Sequence, residues 1–282
     1  MTTASLEDRG SGARPGARAR AGLRSVQRFQ SLGLGVLGLL IVVALGDLLP
    51  RSGVVDRDAF PPVTEMLAEL GRQLGQGDFW TAFFQTLRGW AVGLLIAMVA
   101  GIVLGIVIGS VTFLRRLTAS TIEFLRPIPS VALIPVVVML YGPAFKSGLI
   151  MVVYASFWQI LVQMLYGVAD VDPVVRDTAR SYRFSRWAVV RTVVWPTALP
   201  YVMTGFRLAA AVALIIEVTA EVFVGTPGLG KLIGTANSSG ALTKMYALII
   251  VVGLIGVAVN LAARAIERRA LRWHSSVRKE VR

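Results

Sequence analysis

Six long apolar runs dominate the chain and alternate with short polar segments. Each run is about 18 residues or longer and nearly free of charge, which is the length an α-helix needs to cross a bilayer. A helix of a soluble protein would interrupt such a run with polar residues on its solvated face. The pattern therefore predicts an all-α, polytopic membrane protein with six transmembrane helices, at residues 32–49, 83–110, 120–141, 147–166, 198–223 and 246–265.

Basic residues concentrate on one side of the predicted spans. Of the 29 Lys and Arg residues, 20 lie in the N-terminal tail, in the second and fourth connections and between Arg264 and the C-terminus. Because basic connections stay in the cytoplasm, both termini are predicted to be cytoplasmic, in a multi-pass protein of the plasma or inner membrane. The net charge of +13 follows from this topology, with some attraction to anionic lipid, and does not indicate nucleic-acid binding.

Outside the spans, the composition divides the chain into tails and connections. An Arg-, Gly- and Ala-rich tail precedes the first span, which is predicted to be a retained anchor; the rival is a cleaved signal peptide over residues 1–46. Apolar residues from Val63 to Leu74 follow helical spacing and predict an amphipathic outer helix, either a packing strut or a contact for an outside partner. The predicted regions are a disordered basic tail 1–30, an anchor 31–50, an outer amphipathic segment 51–82, a five-helix core 83–266 with a cytoplasmic loop 170–200, and a basic tail 267–282.

The second span carries a small residue at every fourth position. One face of this helix therefore has almost no side chain, which lets another helix approach closely in a bilayer. Tight packing is the favoured interpretation and a role in gating is the alternative. The small residues are Gly89, Gly93, Ala97, Gly101, Gly105 and Gly109.

The third span contains three prolines, which remove backbone donors and interrupt the helical hydrogen bonds. Lipid cannot satisfy the freed carbonyls, so this helix should face protein or a water-filled path. The alternative is a structural kink. Glu123 and Arg126 are also spaced to pair near the inner surface. The candidate pathway residues are Arg126, Pro127, Pro129, Ser130 and Pro135.

The fifth span carries the charged residues Arg207, Glu217 and Glu221, which are further pathway or gating candidates. Charges inside a membrane are costly and rarely face lipid. Arg207 and Glu221 are 14 residues apart, or roughly 21 Å along a helix, so they should not pair with each other. The two glutamates lie on one face, where they predict either a proton or cation site or structural pairing with a neighbouring helix or subunit.

Residues 225–232 nearly match the phosphate-binding loop G-x-x-x-x-G-K-[ST]. The last position is Leu232, so the hydroxyl that would hold Mg²⁺ is missing. The topology also places this loop outside the cell, away from ATP. A tight Gly/Pro turn is the favoured interpretation.

A polar interruption at residues 170–200 separates the fourth and fifth spans. Asp172 is predicted to cap a short helix that has Pro173 at its first position, and Ser185 to cap a second helix that carries Trp187. Pro196 and Pro200 are expected to frame the start of the fifth span. The arginines along one side predict a surface that docks onto a cytoplasmic protein; the alternative is an ordinary interfacial loop.

Catalytic chemistry finds no support in the sequence. The chain has no cysteine, a single histidine, His274, and no convergent nucleophile and base. We therefore predict no catalytic residue, no metal site and no bound cofactor.

The polar interruption resembles the "EAA" loop of permease subunits of ATP-binding-cassette importers. The resemblance rests on Asp172-Pro173, on DTARSYRFSRW at 177–187, on WPTALP at 195–200 and on Gly205-Phe-Arg207. Glu221 and Gly228-Leu-Gly230 fit the same pattern further on. Phe60-Pro-Pro62, Arg88 with Gly93, and FLRPIPSVALIP at 124–135 are similar to the nitrate/sulfonate/taurine branch.

This resemblance implies an importer-type permease fold and a mechanism. Two permease subunits, here expected to be two copies of this chain, form the path; a dimer of P-loop ATPase subunits binds ATP and Mg²⁺; and an extracytoplasmic binding protein is expected to deliver a small anionic solute. The chain is then no enzyme. The residues implied in ATPase docking are Asp172, Pro173, Arg176, Asp177, Ala179, Arg180, Arg183, Ser185, Arg186 and Trp187.

Three positions depart from the loop motif. Asp177 replaces its glutamate, Thr178 replaces an alanine, and Arg183 replaces its glycine. The family glycine permits a sharp turn between two short helices, so Arg183 predicts either a wider turn or an added charge contact. The rival functions are an ion-coupled carrier or channel that uses Glu217 and Glu221, and a membrane enzyme.

Overall fold

The computed structural model describes residues 33–35, 37–38 and 40–272, and these residues fold into helices and connecting turns. The predicted tail at 1–30, and all but the first six residues of the predicted tail at 267–282, lie outside the described residues. The helices are α1 Gly33–Arg51, α2 Val63–Leu74, α3 Gly77–Ser110, α4 Thr112–Leu125, α5 Ile134–Tyr141, α6 Phe145–Ala169, α7 Pro173–Ser181, α8 Arg186–Val189, α9 Trp195–Phe223, α10 Leu229–Ser238 and α11 Leu242–Ala270.

Five continuous helical stretches of the described chain are long and apolar enough to cross a membrane. A sixth crossing results if α4 and the helical residues after it count as one broken span. The chain divides into two compact units at the boundary between Thr64 and Glu65. In the first unit, the Asp47 carboxylate accepts hydrogen bonds from the Thr64 hydroxyl (2.7 Å) and backbone N–H (3.2 Å), which ties the end of α1 to the start of α2.

The core of the second unit is formed by α3, α6 and α9. The small residues of α3 from Gly93 onward face α6: a Cβ added to Gly101 would lie 2.9 Å from Ile160 Cβ, and one added to Gly105 would lie 2.6 Å from Met164 Cβ. Ala97 in the middle of the series is fully buried. The close helix approach predicted from the small-residue spacing is therefore confirmed.

The third predicted span, residues 120–141, is not one straight helix. Its first part belongs to α4, and its second part, Ser130–Tyr141, begins with a 3₁₀ turn at Ser130–Leu133 and diverges from α4 by 82°. Pro127 and Pro129 explain the break, because each lacks an N–H and each disfavours helical geometry in the residue before it. Pro135 causes no break, since it stands in the first turn of α5, where its missing N–H costs nothing.

The fifth predicted span begins earlier than residue 198. Helical structure is continuous from Arg186 to Phe223, over 38 residues, through a π-helical turn at Val190–Val194. Pro196 and Pro200 were expected to frame the start of the span: Pro196 does lie in the first turn of α9, whereas Pro200 lies inside the helix. In this π-helical turn the Trp195 N–H donates to Val190 O, five residues earlier. The shifted hydrogen-bond register accommodates Pro196, which has no N–H to donate.

Candidate functional site

The segment of residues 172–187 forms two short capped helices with a turn between them. The Asp172 carboxylate accepts a hydrogen bond from the Val174 N–H at 2.7 Å, and Pro173 is the first residue of α7. The Ser185 hydroxyl accepts one from the Ala188 N–H at 3.2 Å and caps α8. Both caps are those that the sequence predicted, because capping depends on side chains within three residues.

The turn between α7 and α8 is tight. The Phe184 N–H donates to Ala179 O (3.0 Å) and the Arg183 N–H donates to Arg180 O (2.9 Å), the pair of bonds that defines a Schellman helix end. Arg183 stands at the left-handed position of this motif, with a φ of +55°, where glycine is usual. The prediction of a wider turn is therefore wrong. The chain keeps the sharp turn at a cost of about 1 kcal/mol for placing a Cβ in that conformation.

One surface of the 172–187 segment packs against the ends of the transmembrane helices α6 and α9. Ala179 is buried, and Val171, just before the segment, belongs to a cluster with Met164 and Val168 of α6 and Val194 and Ala198 at the start of α9. The Arg176 guanidinium also donates to Val168 O at 3.2 Å. Movement of the segment must therefore displace the ends of α6 and α9 with it.

The opposite surface of the segment is open and combines aromatic with basic side chains. Tyr182 is 75% exposed and Trp187 is 72% exposed. Arg180 makes a loose ion pair with Asp177 at 3.6 Å, with both side chains largely exposed. A cavity of about 570 Å³ lies beside them and is lined by Arg176, Arg180, Phe184, Arg186 and residues of the α3–α4 junction and of α8 and the π-helical turn. Aromatic residues and arginine are the side chains most enriched at protein interfaces.

The two glutamates of α9 are buried, and Glu221 holds a neighbouring turn. Its Oε2 accepts hydrogen bonds from the Thr86 hydroxyl of α3 (3.0 Å) and from the Gly230 N–H of α10 (2.8 Å). The Thr86 hydroxyl oxygen in turn accepts from the Leu229 N–H at 2.9 Å. For Glu221, the sequence left open a proton or cation site and structural pairing with a neighbouring helix or subunit. These hydrogen bonds favour structural pairing with neighbouring helices.

Glycines make the room for these carboxylates. A Cβ on Gly228 would collide with the Glu221 carboxylate, and one on Gly89 would collide with that of Glu217. Gly225 has a φ of +80°, so residues 225–228 form the tight turn predicted in place of a phosphate-binding loop. Oε2 of Glu217, Oε1 of Glu221 and the Thr226 hydroxyl are buried without a hydrogen-bond partner in the described part of the chain.

The remaining pathway candidates do not converge on the glutamates. Arg207 faces α11, where its guanidinium lies 3.4 Å from Glu267. Arg126 is exposed at the end of α4, and the ion pair expected between Glu123 and Arg126 is not among those of residues 33–272. Pro127, Pro129 and Ser130 lie at the 82° break.

Sequence reasoning missed Thr86 and Thr226. Thr86 lies three residues before Gly89 on the small-residue face of α3, so a polar side chain on a closely packed face was the available signal. No comparable signal marks Thr226, since its burial depends on how residues 225–228 fold back onto α9.

This arrangement matches a known family. Residues 97–272, more than half of the chain, match the model of the binding-protein-dependent transport system inner membrane component, and the chain belongs to that family. It is thus a multi-pass inner-membrane subunit of an ATP-binding-cassette importer, a permease and not an enzyme.

The relatives fall in the nitrate/sulfonate/taurine branch. The chain is 29% identical over 257 residues to the taurine transport system permease protein TauC of Escherichia coli, covering 89% of this chain and 93% of the relative. It is 26% identical to the putative aliphatic sulfonates transport permease protein SsuC of Bacillus subtilis, covering 86% and 88%. It is 29% identical to the nitrate import permease protein NrtB of Leptolyngbya laminosa, covering 67% and 68%.

A solved structure shares the fold. A chain of a bacterial transporter involved in the import of the acidic polysaccharide alginate superposes with a TM-score of 0.58 at 14% identity. The match covers 88% of this chain and 98% of that chain. The likeness supports an importer permease architecture, as the sequence predicted.

Proposed function

We propose that this chain forms the translocation path for a small anionic solute of the nitrate, sulfonate or taurine type. An extracytoplasmic binding protein delivers the solute, and the names of the relatives support the solute class. ATP and Mg²⁺ bind to a separate ATPase dimer and not to this chain. The path lies between two copies of the chain, both of whose termini are cytoplasmic, consistent with the basic connections on one side.

The ATPase docks on the 172–187 segment in this proposal. The observation that carries it is the contrast between the two surfaces of the segment. The outer surface exposes Tyr182, Trp187 and arginines, while the inner surface is anchored by Ala179 and Arg176 to α6 and α9. A partner that closes on the outer surface therefore moves the membrane helices, which biases a two-state helix packing.

The broken third span supplies part of the path. Leu125 O, which Pro129 leaves without its helical donor, accepts from the Tyr154 hydroxyl at 2.9 Å. Glu123 O, which Pro127 leaves without one, could be satisfied by water in a polar path. The same stretch also carries Arg126, Ser130 and Pro135. A cationic Arg126 suits an anionic solute. Arg207 lies apart on α9 and pairs with Glu267, so we assign it to helix packing.

The ion-coupled carrier loses its main support. Glu221 is committed to Thr86 and Gly230, and membership of the family supplies a different energy source. Glu217 is buried beside Gly89 and Gly148, in the same closed region of the helix bundle.

Co-purification of the tagged chain with the ATPase from its own cells tests the docking proposal. The double variant Asp177→Ala with Arg180→Ala removes the exposed ion pair and should lose the ATPase and ATP-driven uptake together. The matched control is Glu65→Ala with Arg72→Ala, which removes one exposed acid and one exposed base elsewhere, leaves the net charge equally unchanged and keeps the Glu69 acceptor of the buried Gln73 amide. Retention of ATPase and uptake by the docking variant, with the control intact, would contradict the proposal.

A further inference from the structure

The turn after α7 contains an arginine where the backbone favours glycine. Arg183 has a φ of +55° and is the one residue other than glycine with a positive φ among the described residues. The Schellman bonds at Phe184 and Arg183 hold it there. A backbone outlier that the surrounding structure maintains is a reason to look for a function of its side chain.

No contact within the described part of the chain accounts for an arginine side chain at position 183. Arg176 donates to Val168 O and Arg180 lies near Asp177, whereas the exposed Arg183 guanidinium makes no hydrogen bond or ion pair within residues 33–272. The strain therefore has no compensating contact inside the subunit. A rigid helix end also fixes the direction in which this cation projects, which reduces the entropy lost when it binds a partner group.

We propose that Arg183 pairs with a carboxylate of the ATPase subunit and helps to select that partner. This inference rests on the proposed docking of the ATPase at the 172–187 segment and adds the chemistry of one contact. Exposed Tyr182 precedes the arginine in the turn and exposed Trp187 follows it on α8; aromatic side chains that a partner covers can exclude water from such a pair, and a desolvated charge pair contributes to specificity.

A protein partner fits this surface better than an anionic membrane surface. The same short helix exposes Asp172 and Asp177 together with its arginines. A bilayer rich in anionic lipid presents a single sign of charge and would repel those carboxylates. A folded partner can present both signs in register.

Three substitutions at Arg183 separate the charge from the backbone. Arg183→Gly removes the cation and relaxes the turn, Arg183→Lys keeps a cation, and Arg183→Glu reverses it. The dissociation constant of the ATPase is measured on the complex purified from the chain's own cells. We expect this constant to rise about tenfold in the Gly variant, to rise further in the Glu variant, and to stay near the wild-type value in the Lys variant. The Gly variant should also show a flatter dependence of dissociation on salt.

Carbodiimide crosslinking of the Arg183→Lys complex identifies the partner group. This reagent joins an amine to a carboxylate, so mass spectrometry should find an amide between the introduced lysine and an Asp or Glu of the ATPase. The wild-type complex is the control, because arginine forms no such amide and any crosslink from the native Lys146, Lys231, Lys244 or Lys279 appears in both complexes.

The possible outcomes are distinct. If the Gly variant holds the ATPase as tightly as wild type with an unchanged salt dependence, Arg183 is only a tolerated strain and the inference is overturned. Loss of binding to vesicles of phosphatidylglycerol, with the ATPase retained, overturns it in favour of a membrane contact. If the double variant at Asp177 and Arg180 also keeps the ATPase, the docking proposal itself has failed.

Discussion

The two ends of the long helix Arg186–Phe223 differ in how far their polar side chains are exposed. At one end, the 172–187 segment exposes its arginines and aromatic residues and buries little more than Ala179. At the other end, Glu217 and Glu221 are 3% and 0% exposed, and glycines give them room beside α3 and α10. The buried end stabilises one geometry by hydrogen bonds, whereas the exposed end keeps its polar groups available for another protein.

The largest effect is expected at the buried end. Glu221→Ala leaves the buried Gly230 N–H without its acceptor, leaves the Thr86 hydroxyl with Ala82 O alone and opens a cavity at a fully buried site, so the free energy of unfolding should fall on the order of 3 kcal/mol. Glu221→Gln keeps an acceptor oxygen and the volume, and should recover most of this loss. Thermal unfolding in detergent measures both, with exposed Glu65→Ala as the control.

Equal stability of the Ala and control variants would contradict the contrast between the two ends. It would mean that the hydrogen bonds of Glu221 do not hold residues 228–230 in place.

At the exposed end, a large effect on binding should come without an effect on stability. Trp187→Ala removes a side chain that is 72% exposed, so the unfolding temperature of the chain should not change. Binding of the ATPase should weaken by about 2 kcal/mol if Trp187 is an interface anchor. Titration of the purified ATPase onto the chain in nanodiscs measures the affinity, with exposed Phe113→Ala as a control for loss of an aromatic residue elsewhere.

A smaller effect is expected from the cap of α7. Asp172→Ala removes the acceptor of the Val174 N–H and should destabilise the helix by about 1 kcal/mol, while Asp172→Asn should retain the cap. Protection of the α7 amides against hydrogen exchange is the measurement. Similar exchange in the Ala and Asn variants would show that packing of Ala179, and not the cap, holds this helix.

The smallest effect is expected at Thr226. Its hydroxyl is buried without a partner, so Thr226→Val replaces an unsatisfied group by a methyl of similar volume. The free energy of unfolding should stay within about 1 kcal/mol of wild type or rise. A loss of more than that in chemical unfolding would reveal a hydrogen bond that Thr226 forms in another state of the transporter.

Local features of this chain could be predicted from sequence, and long-range ones could not. The caps at Asp172 and Ser185 depend on neighbours within three residues, and the glycine spacing of α3 identified a packing face without its partner. The interruption of the third span was expected from its prolines, but its angle of 82° and the early start of the fifth helix were not, since both depend on how prolines are accommodated within a packed bundle. The Thr86–Glu221 bond joins residues 135 positions apart, which no local pattern encodes.

The length of the continuous 38-residue helix determines how far one of its ends moves when the helix tilts about the other. At about 1.5 Å per residue it is roughly 57 Å long, nearly twice the thickness of about 30 Å of the hydrocarbon core. A tilt of about 10° about one end would carry the other end roughly 10 Å sideways, following the same length. A rigid tilt begun at the 172–187 segment would therefore be felt most strongly near Glu221, where the bonds to Thr86 and Gly230 oppose it.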